Sequence, residues 1–236
     1  MDEPIVELRP ERAGLSRARI VRAGIELVDA HGLTALSMRR LGAELGVEAM
    51  ALYRYINGRE DLLEAMVDEL TGQVHLTGDL DLGPDGGWQA YLQALAHDVR
   101  DIAHAHPNLF PLMATRHPAA PWLRPPLRSL DLVEDFLAYL TGAGFSDDDA
   151  VDAYKAFTSF LVGHLLLTVA QRTTGPDLTD ETLDEGGADV PNTTVDLSDY
   201  PEVTRLRTKL SEDHAEEEFE RTLEQLLDRI DASVSQ

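Results

Sequence analysis

Arg39, Arg40, Arg54 and Arg59 stand close to Tyr53 and Tyr55 within residues 39–59. A guanidinium can donate two parallel N–H bonds, to a phosphate or to the O6/N7 edge of guanine, and a phenol can donate to a phosphate oxygen. Between them lie Ala49, Met50 and Ala51, whose side chains carry no hydrogen-bonding group. On DNA such side chains can touch only thymine methyls or sugars; Met50 could equally pack within its own domain. Nothing in the chain suggests catalysis: there is no nucleophile elbow, Walker loop, dinucleotide glycine motif or His-Glu-x-x-His. His97 and Asp101 are four apart, with Asp98, His104 and His106 nearby. That spacing could hold a metal, but exposed polar residues of an amphipathic helix produce it as well. No enzymatic activity, metal or cofactor is expected.

The arginines and tyrosines need a rigid frame, and the flanking residues supply one. Ser37 can cap a helix in which Leu41 and Leu45 share a face, and Gly46 permits a tight turn because positive φ costs little without Cβ. Val47 and Leu52 would wedge the next short helix against its neighbours. Helix, glycine turn and helix describe a helix-turn-helix, the element that sets a helix in the major groove. Upstream, Ser16 can cap a helix with Ile20, Ala23, Leu27 and Val28 on one face, and Gly32 stops it. A fourth helix is expected from Arg59 to Val74.

Ser16 to Leu70 resembles the DNA-binding domain of the tetracycline-repressor (TetR) family of bacterial transcriptional regulators. The match lies in Ile20, Ala23, Leu27, Gly32, Leu41, Gly46-Val47, Leu52-Tyr53, and Arg59 followed by Leu62. More weakly, the remainder resembles the ligand domain of the tetracycline repressors, through Gly87-Trp88-Gln89, Ala114-Thr115-Arg116, Gly144-Phe145-Ser146 and Phe160-Leu161-Val162-Gly163. The resemblance implies a DNA surface of Ser37, Arg39, Arg40, Ala49, Met50, Tyr53, Arg54, Tyr55 and Arg59. In it Arg39 aligns with a base-reading arginine. Arg54 reads a base or holds a phosphate, and Tyr53, Tyr55 and Arg59 hold phosphates. Each arginine could instead form a surface ion pair.

The same resemblance bears on a ligand. His75 falls where the tetracycline repressors place a drug-touching histidine, though a histidine at a helix end also favours the dipole. Leu112 stands at the position of their metal-coordinating histidine, Leu95 at that of a drug-binding asparagine, and Phe136 at that of a glutamine. Leucine offers no ligand to magnesium, so a magnesium–tetracycline chelate does not fit. The expected effector is a small apolar or aromatic molecule in a cavity lined by His75, Leu95, Val99, Leu112, Thr115, Val133, Phe136 and Phe160.

The net charge of −23 over 236 residues argues against nucleic acid only if taken whole. Residues 9–60 hold nine arginines against six carboxylates. Fields of more distant charges are screened within about 8–10 Å, so a mildly basic head can bind DNA while attached to an acidic body. The absence of cysteine fits a reducing cytosol, and the N-terminus does not read as a signal peptide. The longest apolar stretch, Phe157 to Ala170, is interrupted by polar residues and reads as a buried helix rather than a membrane span.

Residues 1–15 are expected to be a flexible arm from which Arg9 and Arg12, with Arg17 and Arg19 beyond it, could reach DNA. Residues 16–60 form the head and 61–236 a helical body. Within the body, residues 173–200 carry eight acids and no base and read as a mobile loop. No strand-period segment appears, so the fold class is all-α. The apolar stripe Phe219, Leu223, Leu226, Leu227 and Ile230 and the apolar stretch after Phe157 either fill an ordinary core or serve a second buried surface. The family resemblance implies the latter, a homodimer through a four-helix bundle with Leu161, Leu165, Leu223 and Leu227 in or beside the two-fold contact. The combined expectation is a cytoplasmic, homodimeric repressor that binds a palindromic double-stranded DNA operator and is released by its effector. Its alternatives are a constitutive DNA-binding regulator without effector and an interaction module of the same fold.

Overall fold

The computed structural model describes residues 14–72, 74, 87–115, 117–173, 197–212 and 214–234. Among them are ten α-helices and no strand: α1 (Arg17–His31), α2 (Met38–Leu45), α3 (Ala49–Leu52), α4 (Arg59–Thr71), α5 (Trp88–Ala105), α6 (Phe110–Met113), α7 (Leu130–Gly142), α8 (Asp147–Thr173), α9 (Pro201–Leu210) and α10 (Ala215–Val234). The chain divides into two compact units, 1–73 and 74–236. The sequence pattern alone places the division at residue 60. Helix α4 instead belongs with the head because its apolar face, Leu62, Met66 and Leu70, packs on α1. Gly24 of α1 makes this close packing possible: a Cβ there would lie 3.1 Å from the Met66 sulfur.

In the head, the expected caps are formed. Ser16 Oγ accepts the Arg19 amide at 3.3 Å and Ser37 Oγ the Arg40 amide at 3.2 Å, each satisfying an orphan donor of a first turn. Gly46 takes the left-handed conformation at φ 68°, ψ 32°. Ile20, Val28, Leu41, Leu52 and Ile56 are fully buried and form the small core.

In the body, α8 packs against α5, α6, α7 and α10. Ser146 caps it, accepting the Asp149 amide at 3.2 Å. By length and composition alone α8 could cross a membrane. In this fold Ala153, Tyr154, Phe157, Leu161, Leu165 and Val169 give it one buried face against the other body helices. The stripe of α10 is buried at Phe219, Leu223, Leu227 and Ile230, while Leu226 is half-buried. Arg100 of α5 fastens α10 by an ion pair to Glu220 at 2.8 Å and by lying 5.0 Å over the Phe219 ring.

Candidate nucleic-acid interface and apolar cavity

Helices α2 and α3 meet at very close range. A Cβ on Gly42 would come within 2.9 Å of the Val47 carbonyl oxygen, and the Val47 amide donates to the Gly42 carbonyl at 2.9 Å. Glycine at this position therefore sets how α3 leaves the turn. With Leu52 buried at the far end of α3, the opposite side of that helix turns to solvent.

The residues expected to face DNA are exposed or half-buried. Ser37, Arg39, Arg54 and Arg59 are exposed, Arg40 and Ala49 are half-buried, and Tyr53 and Tyr55 are 45% and 41% exposed. Met50 is 74% exposed, so it does not pack within the head. Ser37 has a second duty as the α2 cap.

Arg17 corrects one expectation. Its guanidinium is engaged by Asp61 at 2.6 Å and by the Tyr55 carbonyl at 3.2 Å, which joins the starts of α1 and α4 to the end of the α3 turn. Asp61 also accepts the Asn57 amide at 2.6 Å. These bonds, first that from Arg17 and then that from Asn57, hold the Asp61 carboxyl below its ordinary range. Arg17 thus props the loop carrying Tyr53 and Tyr55 rather than reaching for phosphate. Arg9 and Arg12 lie outside the described residues.

The body holds an apolar cavity of about 40 Å³ between α5, α6, α7 and α8. Of the residues expected to line it, Leu95, Val99 and Phe136 do. Leu112 and Val133 are buried nearby without reaching it. Thr115 sits at the surface, where its hydroxyl donates to the Leu112 carbonyl at 2.7 Å. Phe160 lies on another side of α8 and stacks on Phe219 with centroids 5.8 Å apart. His75 lies outside the described residues.

The rest of the wall comes from residues that periodicity alone marks only as core: Phe110, Met113, Leu127, Leu132, Tyr154, Phe157, Thr158, Leu161 and Val162. Two of these are polar. The Tyr154 hydroxyl donates to the Pro125 carbonyl at 3.1 Å, and burial pushes its pKa up to about 12, so it stays a neutral phenol. A separate open groove of about 320 Å³ is lined in part by His164, Leu165 and Thr168 of α8 and shares no lining residue with the cavity. Its lining is mostly polar, including Arg100, His104, His164 and His214. Burial holds the His164 imidazole below its usual pKa.

His97 Nε2 lies 3.0 Å from the Glu220 carboxylate, so its partner is on α10 rather than Asp101 on its own helix. No group of three metal-ligating side chains occurs among the described residues. The four leucines expected in or beside a two-fold contact, Leu161, Leu165, Leu223 and Leu227, are at most 4% exposed in the single chain. They fill the core of the body because each faces a neighbouring helix of the same subunit. Direct contact with a second copy would fall to outward residues of the same two helices, among them Val151, Ala156, Leu167 and Leu226.

Residues 20–66 match the family model described as bacterial regulatory proteins, tetR family, and residues 81–234 match the tetracyclin repressor-like C-terminal domain. The HTH-type transcriptional repressor DrrR1 of Streptomyces coeruleorubidus is 33% identical over 97% of this chain and 83% of its own length. A solved structure of a possible TetR family transcriptional regulator from Streptomyces coelicolor A3(2) is 32% identical, with TM-score 0.66 over 92% of this chain and 100% of that one. The Streptomyces coelicolor TetR family protein ActR, solved in complex with actinorhodin, shares the fold at 22% identity and TM-score 0.68, over 94% of this chain and 98% of its own.

Proposed function

Because the chain belongs to the TetR family of bacterial transcriptional regulators, we propose that it is a repressor that binds a palindromic operator as a homodimer and is released by a small apolar or aromatic effector. The observation that carries the DNA-binding part is the outward array on a fixed frame: Arg39 on α2, Met50 on α3, Tyr53, Arg54 and Tyr55 after it, and Arg59 at the start of α4. Arg39 reads a base and Arg59 holds a phosphate, with Tyr53 and Tyr55 as further phosphate donors. A two-fold operator requires a two-fold protein, and a second copy would cover the exposed Val151 and Leu167 of α8.

The effector part rests on the chemistry of the cavity wall. Its aromatic and aliphatic side chains suit an apolar ligand, with the Thr158 hydroxyl to orient one polar group. A volume of about 40 Å³ admits little more than a water, against roughly 300–1,000 Å³ for usual ligand pockets. Effector binding therefore requires the wall to open. A ligand that binds the opened state preferentially shifts the population toward it, and this differential affinity is what drives operator release. ActR, which shares the fold, is solved in complex with actinorhodin, so this fold admits a small-molecule ligand. The small cavity also favours a second reading, a constitutive regulator whose interior is filled by its own side chains.

Operator titrations test the DNA surface. Arg39→Ala is expected to cost about 1–3 kcal/mol and relax preference at one base position. Arg59→Ala should weaken all sequences alike and flatten the salt slope by about one unit. Unchanged binding in both variants at low salt would refute this surface. A thermal-shift screen separates the two readings of the body: no stabilising ligand among neutral aromatics favours the constitutive one.

A further inference from the structure

The large hydrophobic side chains that the head exposes, among the described residues, are Met50, Tyr53 and Tyr55. The tyrosines carry hydroxyls that suit phosphate. Met50 carries nothing polar, yet it is the most exposed of the three at 74%. Its position narrows what it can meet. It is the second residue of α3, and in a helix-turn-helix the N-terminal residues of the second helix approach base edges. Its neighbours Ala49 and Ala51 also lack hydrogen-bonding groups, so this turn of α3 can read no donor or acceptor through its side chains. The apolar group that a base presents in the major groove is the C5-methyl of thymine.

Resting on the DNA-binding reading above, we propose that Met50 recognises a pyrimidine C5-methyl group, so that the operator position beneath it is read as "methylated pyrimidine" rather than as thymine. Methionine suits this contact because its unbranched thioether adapts to an apolar surface. Since Met50 has no group for O4 or N4, 5-methylcytosine substitutes for thymine there, and unmethylated cytosine does not. Removing one methyl from the contact weakens binding about fourfold per half-site, or about fifteenfold for both halves of a two-fold operator.

The test uses the full-length protein and a duplex enriched by it from a random pool at low salt. Each thymine is replaced in turn by deoxyuridine, which lacks only the methyl. At one symmetry-related pair of positions, wild-type affinity should fall by the stated factors, and 5-methylcytosine should exceed cytosine by a similar factor. Met50→Ala and Met50→Gln, both at an exposed helical position, should bind thymine and deoxyuridine duplexes equally. If wild type binds the enriched duplex but no thymine methyl affects affinity, the proposal is overturned while the DNA-binding reading stands. A methyl effect that persists in both variants overturns the assignment to Met50. Failure to enrich any duplex overturns the DNA-binding reading, and this proposal with it.

Discussion

The head and the body are both helical assemblies around apolar cores, but their candidate sites are built in opposite ways. In the head, function resides in what the core turns outward: caps at Ser16 and Ser37, the close approach at Gly42 and the Arg17–Asp61 brace fix a frame, and the arginines and tyrosines project from it. In the body, the candidate site is what the core leaves unfilled, a cavity of about 40 Å³ walled by ordinary core residues. Residues of an outward site can change without loss of fold stability, but the site fails when the frame moves. An inward site shares every residue with the fold, so its residues cannot change without changing stability.

Three substitutions would break or sharpen this contrast, in falling order of effect. Leu223 is 1% exposed on α10, and Leu223→Glu would bury a charge among apolar neighbours. A cost of about 4 kcal/mol or more is expected, measurable as loss of the body's cooperative thermal transition. An unaltered transition would mean that Leu223 is not a core residue. Gly42→Val should cost about 1–3 kcal/mol in the head and abolish operator binding although no DNA-facing residue is touched, because the new side chain pushes against the Val47 carbonyl. Full operator affinity in that variant would contradict the role given to the α2–α3 contact.

The smallest effect is a pH dependence. The folded carboxyl of Asp61 has a depressed pKa. Its contribution to stability is therefore fully present above the unfolded value of about 3.9 and lost as pH falls through the lower folded value. The Arg17 side chain is 48% exposed, so solvent screening keeps the contribution below about 1 kcal/mol. Asp61→Asn should flatten the acid limb of head unfolding below the usual carboxylate range and, because Arg17 then holds the loop of Tyr53 and Tyr55 less firmly, weaken neutral-pH operator affinity by no more than about fivefold. An unchanged acid limb would show that the pair contributes nothing.

The contrast also explains what the sequence made legible. Helix order, the caps and the turn at Gly46 were readable because each depends on a local residue type with one physical job. The exposed residues of the head are readable as the polar remainder after the apolar face is assigned, and Met50 stays open in the sequence because an apolar residue at a helix start can point either way. The cavity wall was not readable beyond Leu95, Val99 and Phe136. Phe157 and Leu161 carry the same apolar type and helical spacing whether they meet a neighbour or a void, so only the packing separates a wall from a core. The same ambiguity affected Leu161, Leu165, Leu223 and Leu227: a stripe of leucines declares burial without saying whether its own subunit or a second copy covers it. The boundary at α4 was missed because contact with α1, through Gly24, is a tertiary fact with no local marker.

Effector action requires coupling between the inward site and the outward one, and anisotropy of a labelled operator bound to the full-length protein measures it directly. The complex is titrated with a neutral fused-ring aromatic compound chosen because it raises the melting temperature, and in parallel with magnesium–tetracycline. The expected result is a fall to the anisotropy of free DNA over the same concentration range in which the compound stabilises the protein, with no response to the chelate. Operator that stays bound at saturating aromatic ligand, or that is released by magnesium–tetracycline, would contradict the account.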